Sequence, residues 1–224
     1  LLDAQVVFHD DLPTAGNTIV YDIHIDEFFR QDQTLLFRFH FEGSVAGKPL
    51  ISMRDGCAGF FSPEELASGR GIIQAPHRPR PKALAPAGWV PPAGTEPMVL
   101  DESSVDALRR GDLGMALGER FRGLPLQRPC TLPGGKMRLL DRVTAIEPVG
   151  GDWGLGRAVA ELAIHPDDWF LTSHFRDDPV MPGTLMYECC LHTLRTLLIA
   201  WGWVGEEDEV IPMPVPDVAG RLRC

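Results

Sequence analysis

The sequence predicts an α+β fold in which antiparallel strands lie beside one long buried helix. Three observations predict it. Residues 18–25 and 34–41 alternate apolar and polar side chains with the period of half-buried strands. From Thr184 to about Trp201 the chain carries neither Gly nor Pro and repeats its apolar residues at helical spacing. Between these blocks, seven prolines fall at positions 76, 79, 81, 86, 91, 92 and 97, where no apolar period survives.

In chain order, Thr18 to Ile25 (TIVYDIHI) places Ile19, Tyr21, Ile23 and Ile25 on one strand face. Thr34 to Phe41 places Leu35, Phe37, Phe39 and Phe41 on one face, and Leu36, Arg38 and His40 on the other. Leu50 to Met53 and Ala58 to Phe61 read as shorter strands around Gly56. Pro13 to Asn17 and Gly43 to Pro49 carry turn chemistry. Such strands imply an antiparallel sheet with one face covered. The proline-rich stretch reads as an extended linker. It divides the chain into a first block at 1–74, a linker at 75–97 and a second block at 98–224. In the second block, Ser103 or Ser104 is expected to cap a short helix running to Arg110, with Val105 and Leu108 facing inward. Asp141 to Glu147 and Arg157 to Ile164 read as strands, with the glycines at 150, 151, 154 and 156 forming the hairpin loop. The long helix puts Leu185, Cys189, His192 and Thr196 on one face and Leu191, Leu194 and Leu198 on another. Apolar residues almost all round predict a buried helix, and Gly202 supplies its stop.

Bulk properties exclude several function classes. The 224 residues carry a net charge of −10, which argues against a nucleic-acid binder that must neutralise phosphates. Arg78, Arg80 and Lys82 form only a small basic patch. Five cysteines, at 57, 130, 189, 190 and 224, are odd in number and lack CxxC spacing, so reduced thiols are expected rather than disulfides or zinc. No apolar stretch is long enough for a membrane span, and no signal-peptide pattern opens the chain. A cytoplasmic protein is expected. The chain starts at Leu1 directly on a strand-like pattern, as a piece of a longer polypeptide would.

The segment richest in chemistry is 174–188, HFRDDPVMPGTLMYE. Asp178-Pro179 and Met181-Pro182-Gly183 make a stiff loop, because each proline fixes its own φ and restricts the residue before it. Gly183 lets a backbone N–H approach a ligand closely. The helix that follows presents unpaired N–H groups and a dipole favouring negative charge, suited to a thioester oxygen gaining charge. His174 precedes the loop, and Glu188 sits about one turn into the helix. A histidine and a carboxyl so placed can divide proton removal from proton donation.

At these residues the sequence resembles the β-hydroxydecanoyl-acyl-carrier-protein dehydratases. In that family a helix acid follows the catalytic histidine by fourteen positions, as Glu188 follows His174. The family usually has Asp there. Glu moves the carboxyl outward by about one bond and scarcely alters its pKa. GCAGFF (56–61), DIHIDEFFRQ (22–31), LPGGKMRLLDRV (132–143), IHPDDWFLTSHF (164–175) and PGTLMYECCLHTLR (182–195) are together similar to the tandem dehydratase regions of bacterial polyunsaturated fatty acid synthases.

The resemblance implies a hot-dog fold, a curved antiparallel sheet wrapped round a long helix, with two units paired within a longer chain or as a homodimer. Residues 1–61 would close a first, non-catalytic unit and residues 98–224 would open a second, with Gly220 to Cys224 starting its closing strands. It implies dehydration of a (3R)-hydroxyacyl thioester carried on the phosphopantetheine of an acyl carrier protein, within a multidomain synthase. His174 is the base, and Glu188 or its counterpart in the paired unit is the acid, which must be buried enough to stay protonated. Gly183 holds the carbonyl oxygen and Val180 orients His174 through its backbone carbonyl. Thr184, Phe175 and Pro182 complete the substrate site, and no metal or redox cofactor takes part. Docking of the carrier would fall to Arg78, Arg80, Arg120, Arg122 or Arg128. Two other functions are open: a hot-dog thioesterase, in which a carboxylate activates water, and a non-catalytic partner module.

Other candidates carry less. His24, His40, His165 and His192 read as structural or exposed. Cys189 and Cys190 read as small packing residues. Asp177 and Asp178 lack a clear third metal ligand, and Gly154-Leu155-Gly156 is too short for a dinucleotide fingerprint.

Overall fold

A computed structural model describes residues 3–68, 86–91, 94, 96–124, 131–175, 178–204 and 215–223. The chain forms two compact units, one of residues 1–78 with 213–224 and one of residues 79–212. Most of the proline-rich stretch lies outside the described residues.

The first unit is a five-stranded antiparallel sheet of β1 (Asp3–Phe8), β2 (Ile19–Gln31), β3 (Thr34–Val45), β4 (Lys48–Phe60) and, from the far end of the chain, β8 (Gly220–Arg223). The order is β2-β3-β4-β1-β8. The expected turn at 43–49 is tighter in fact. Val45 pairs with Lys48, and Ala46 and Gly47, with φ of 49° and 78°, make the two-residue reversal that suits the twist of a hairpin. The two short strands expected around Gly56 are one continuous strand. A Cβ on Gly56 would lie 2.7 Å from the Phe39 carbonyl oxygen, so glycine permits the close crossing rather than ending the strand.

Cross-strand pairing collects the apolar residues on one face: Phe41 lies between Ile23 and Met53, Phe37 between Phe28 and Ala58, and Ile25 is opposite Phe39. The aromatic rings meet there, Tyr21 on Phe41 at 5.4 Å and Phe28 on Phe37 at 5.8 Å. Among the described residues this face is open where a cover is expected: Ile23 is 60% and Phe28 64% exposed. The unit's one described helix, α1 (Pro63–Ser68), is short. It starts with a capping box, in which Glu65 N–H donates to Ser62 Oγ at 3.2 Å and Ser62 N–H donates to the Glu65 carboxylate at 2.7 Å.

The second unit joins a three-stranded antiparallel sheet to helices. The sheet is β5 (Met98–Leu100), β6 (Arg142–Glu147) and β7 (Arg157–Glu161), in that order. β7 stops short of the expected Ile164 because the Asp141 side chain takes the Ala163 N–H at 2.8 Å in place of a ladder bond. Helix α2 (Glu102–Arg109) is capped by Asp101, whose carboxylate accepts from Ser104 N–H at 2.8 Å. The expected caps, Ser103 and Ser104, are inside the first turn. A short α3 (Leu113–Leu117) and two single 3-10 turns lead on to α4 (Gly183–Trp201).

The core of this unit gathers Val105 and Leu108 from α2, Val143 and Ile146 from β6, and Ile199, Ala200 and Trp201 from α4. Trp201 Nε1 donates to the Pro148 carbonyl at 3.0 Å. Gly202 ends α4 in the left-handed conformation, with φ of 96°. Composition predicts a helix buried all round, and the helix departs from this. Its last turns are buried, but Met186, Tyr187 and Leu194 are 56%, 56% and 42% exposed. Among the described residues no helix is long and apolar enough to cross a membrane.

The C-terminal boundary corrects the expected division at 98–224. Residues 220–223 do not begin closing strands for the second unit; they pair with β1 of the first. Strand pairing depends on edges brought together by the fold, which the local pattern of GRLR does not encode.

Candidate active site

The histidine-bearing loop hangs from a buried anchor. Phe170, Leu139 and Leu185 form a small second cluster, with Met181 and Cys189 packed against it. The Phe170 carbonyl accepts the His174 N–H at 2.9 Å, so the backbone at His174 is tied to that cluster. Val180 then holds His174 from two sides. Its N–H donates to the His174 carbonyl at 3.0 Å. Its own carbonyl lies 3.0 Å from His174 Nδ1. A carbonyl only accepts, so Nδ1 carries the hydrogen and the neutral ring's lone pair is on Nε2. The Phe175 ring stacks on the imidazole at 4.1 Å, and Phe175 N–H donates to the Asp178 carbonyl at 2.7 Å.

Helix α4 begins immediately after this loop. Pro182 is the cap residue, and no side chain caps the helix. The Pro182 carbonyl accepts from Leu185 and Met186 N–H at 2.9 and 3.1 Å. The N–H groups of Gly183 and Thr184 come before the first of these bonds and stand outside the helical ladder, where the dipole is positive. Thr184 is exposed and Gly183 half-buried. Loop and helix start thus hold six of the expected residues, His174, Phe175, Val180, Pro182, Gly183 and Thr184, on one short run of chain.

Glu188 is the exception. Among the described residues no hydrogen bond or ion pair joins it to His174. Its carboxylate lies instead 3.8 Å from His192 Nε2, and its side chain is 39% exposed while that of His192 is 6% exposed. Burial, with Arg195 and Arg109 adding repulsion, pushes the His192 pKa below its ordinary value. The spacing of four between Glu188 and His192 on a helix is the sequence signal for this pairing.

Burial, and then the neighbouring Cys190, raises the Cys189 thiol pKa, which disfavours the nucleophilic thiolate. His24 and His40 stack at 4.9 Å on the first unit's sheet and pair with Asp22 and Asp26 at 3.1 and 2.7 Å. Of the arginines considered for docking, Arg122 pairs with Glu119 at 2.9 Å and Arg120 lies over the Phe121 ring. Arg78, Arg80, Lys82 and Arg128, like Asp177, fall outside the described residues.

Residues 132–222 match the family model of a FabA-like domain. The whole chain is 31% identical, over 233 aligned positions, to one subunit of a polyunsaturated fatty acid synthase from a Thraustochytrium species, and spans 15% of that protein's length. Among solved structures it is similar to a full-length peroxisomal multifunctional enzyme type 2 from Drosophila melanogaster. That likeness covers 90% of this chain and 26% of the other at 13% identity, with a TM-score of 0.29, too low to bear on the fold. The match across 132–222 takes in the anchored histidine loop and all of α4, so the residues that carry the candidate site are those similar to a FabA-like domain.

Proposed function

We propose that the chain contributes the catalytic loop of a dehydratase that converts a (3R)-hydroxyacyl thioester to the trans-2-enoyl thioester. The observation that carries this reading is the Val180 carbonyl on His174 Nδ1, which leaves Nε2 as the base. Nε2 takes the C2 proton of the substrate. Charge passes to the thioester oxygen, which the Gly183 and Thr184 N–H groups at the start of α4 stabilise. The C3–O bond then breaks, and a carboxylic acid protonates the departing hydroxyl as water. Glu188 fills that role once its half-exposed carboxyl is covered by a paired unit; otherwise the counterpart acid of that unit fills it. Phe175 lies against the imidazole and helps to shape the acyl site. The steps are proton transfers and loss of water with no net redox change, so the proposed reaction calls for no redox group.

In this reading the substrate arrives on the phosphopantetheine of an acyl carrier protein, and the chain works beside other domains of a multidomain synthase. The first unit is the closing sheet of a second, paired hot dog. Its open apolar face, with Ile23, Ile25 and Phe28 all at least half exposed, supports that role.

The test is to incubate the protein with a 3-hydroxyacyl pantetheine thioester and with its carrier-bound form, and to identify products by mass spectrometry. The expected product is the enoyl thioester, whether or not hydrolysis at another site releases some thiol. A folded protein that forms no enoyl product, and only 3-hydroxy acid and free thiol, would contradict the dehydratase.

A further inference from the structure

Three side chains far apart in sequence meet on the first unit's sheet. His9 follows β1, Ser52 lies within β4 and Asp217 sits in the turn before β8. His9 Nδ1 is 2.8 Å from Asp217 Oδ1, and His9 Nε2 is 2.8 Å from Ser52 Oγ. The backbone fixes all three. His9 N–H donates to the Leu50 carbonyl at 2.8 Å, and Asp217 N–H donates to the Phe8 carbonyl at 2.8 Å. A carboxylate only accepts, so the hydrogen is on Nδ1, and Nε2 is left to accept from the Ser52 hydroxyl. This is the polarity that withdraws a proton from serine, and such an arrangement is recognised by its geometry and not by sequence order.

The surroundings suit a ligand. His9 and Ser52 line an open cleft of about 620 Å³, together with Glu42, Lys48 and Arg54. Arg54 is occupied by the Glu42 carboxylate and by the Met53 carbonyl at 3.1 Å. Lys48 has no acidic partner among the described residues, so its ammonium is left for an anion. Ser52 is 8% exposed, which shields its hydroxyl from most competing water.

We propose that Ser52 is a nucleophile activated by His9, and that this cleft hydrolyses short acyl thioesters or esters bearing a carboxylate or phosphate. Ser52 Oγ attacks the acyl carbon as its proton passes to His9 Nε2. The carbon–sulfur bond breaks, His9 returns the proton to the departing thiol, and the acyl group stays on Ser52 as an ester. Water then gives a proton to His9 and attacks that ester. Ser52 leaves with the proton, so thioester and water become carboxylic acid and thiol. Asp217 orients the imidazole. Its side chain is 76% exposed, so solvent screens it and its share is smaller than that of a buried triad acid. This site is independent of His174.

The test is labelling with an alkyl fluorophosphonate, which phosphonylates activated serines, in His174→Ala protein so that the other site contributes nothing. The modified peptide is located by mass spectrometry. The expected result is label on Ser52, slower by about 10²-fold or more in His9→Gln and slower by a smaller factor in Asp217→Asn. Lys48→Gln is expected to raise KM for succinyl-pantetheine thioester hydrolysis but not for the acetyl thioester. A folded protein unlabelled at Ser52 overturns the proposal. If His9→Gln melts early, Asp217→Asn decides, because its side chain is on the surface: a labelling rate equal to that of the parent overturns the proposal as well.

Discussion

At the scale of single residues, the local chemistry of the histidine loop was legible and the long-range chemistry was not. The Val180 carbonyl on His174 Nδ1 is what the family resemblance of the HFRDDPVMPG loop implies, not something its spacing alone shows. Ser52, His9 and Asp217 span 208 positions, and no local spacing announces their meeting. His192 lies between these cases, one helical turn beyond Glu188. It also gives a pH prediction. Its folded-state pKa is lowered by burial and by Arg195 and Arg109, so the unfolded chain binds more protons around and below the ordinary value of 6.5. Stability from this residue is therefore present above that pH and is lost as the pH falls through it. The melting temperature is expected to drop between pH 7 and pH 5, and to drop less in His192→Gln. Equal pH dependence of the two proteins, followed by calorimetry, would show that His192 is not the group responsible.

At the scale of elements, α4 was legible at both ends because the start follows Pro182-Gly183 and the stop is a left-handed glycine. Strand β4 was read as two pieces because Gly56 breaks the apolar pattern, though its real use is the approach to Phe39. The three-residue β5 and the strand β8 are too short to show a period, and their pairing is decided by the sheets they join. The N-cap of α2, Asp101, lies two or three residues before the serines that its sequence offers as caps. Several consecutive capping types, Asp101, Ser103 and Ser104, compete there, and the carboxylate reaching Ser104 N–H wins. Asp101→Ala is thus expected to destabilise the helix start, read as a lower urea midpoint at unchanged slope. A loss as large in Ser103→Ala, with none in Asp101→Ala, would move the cap.

At the scale of the whole molecule, composition argues against nucleic-acid binding and the motif points to one chemistry, but neither gives the degree to which each unit's apolar residues are exposed. The sheet of the first unit leaves Ile23 and Phe28 open, and α4 of the second leaves Met186 and Tyr187 open. A buried Ile or Phe cut back to a smaller residue costs several kcal/mol, whereas exposed positions usually change stability by about 0.5 kcal/mol or less. Ile23→Ser and Phe28→Ser should therefore barely shift the melting point of this chain, while Ile146→Ala, at a fully buried core position, should lower it strongly. A strong shift from the first pair would mean that their face is covered in solution.

The central claim is that His174 is the base of a hydroxyacyl-thioester dehydratase, and the most direct measurement is the turnover of His174→Ala. The assay follows enoyl thioester formation, with the melting transition recorded alongside. The expected result is a loss of about 10²–10⁴-fold in rate with the melting transition unchanged. Near wild-type turnover in a protein that melts like the parent would contradict it.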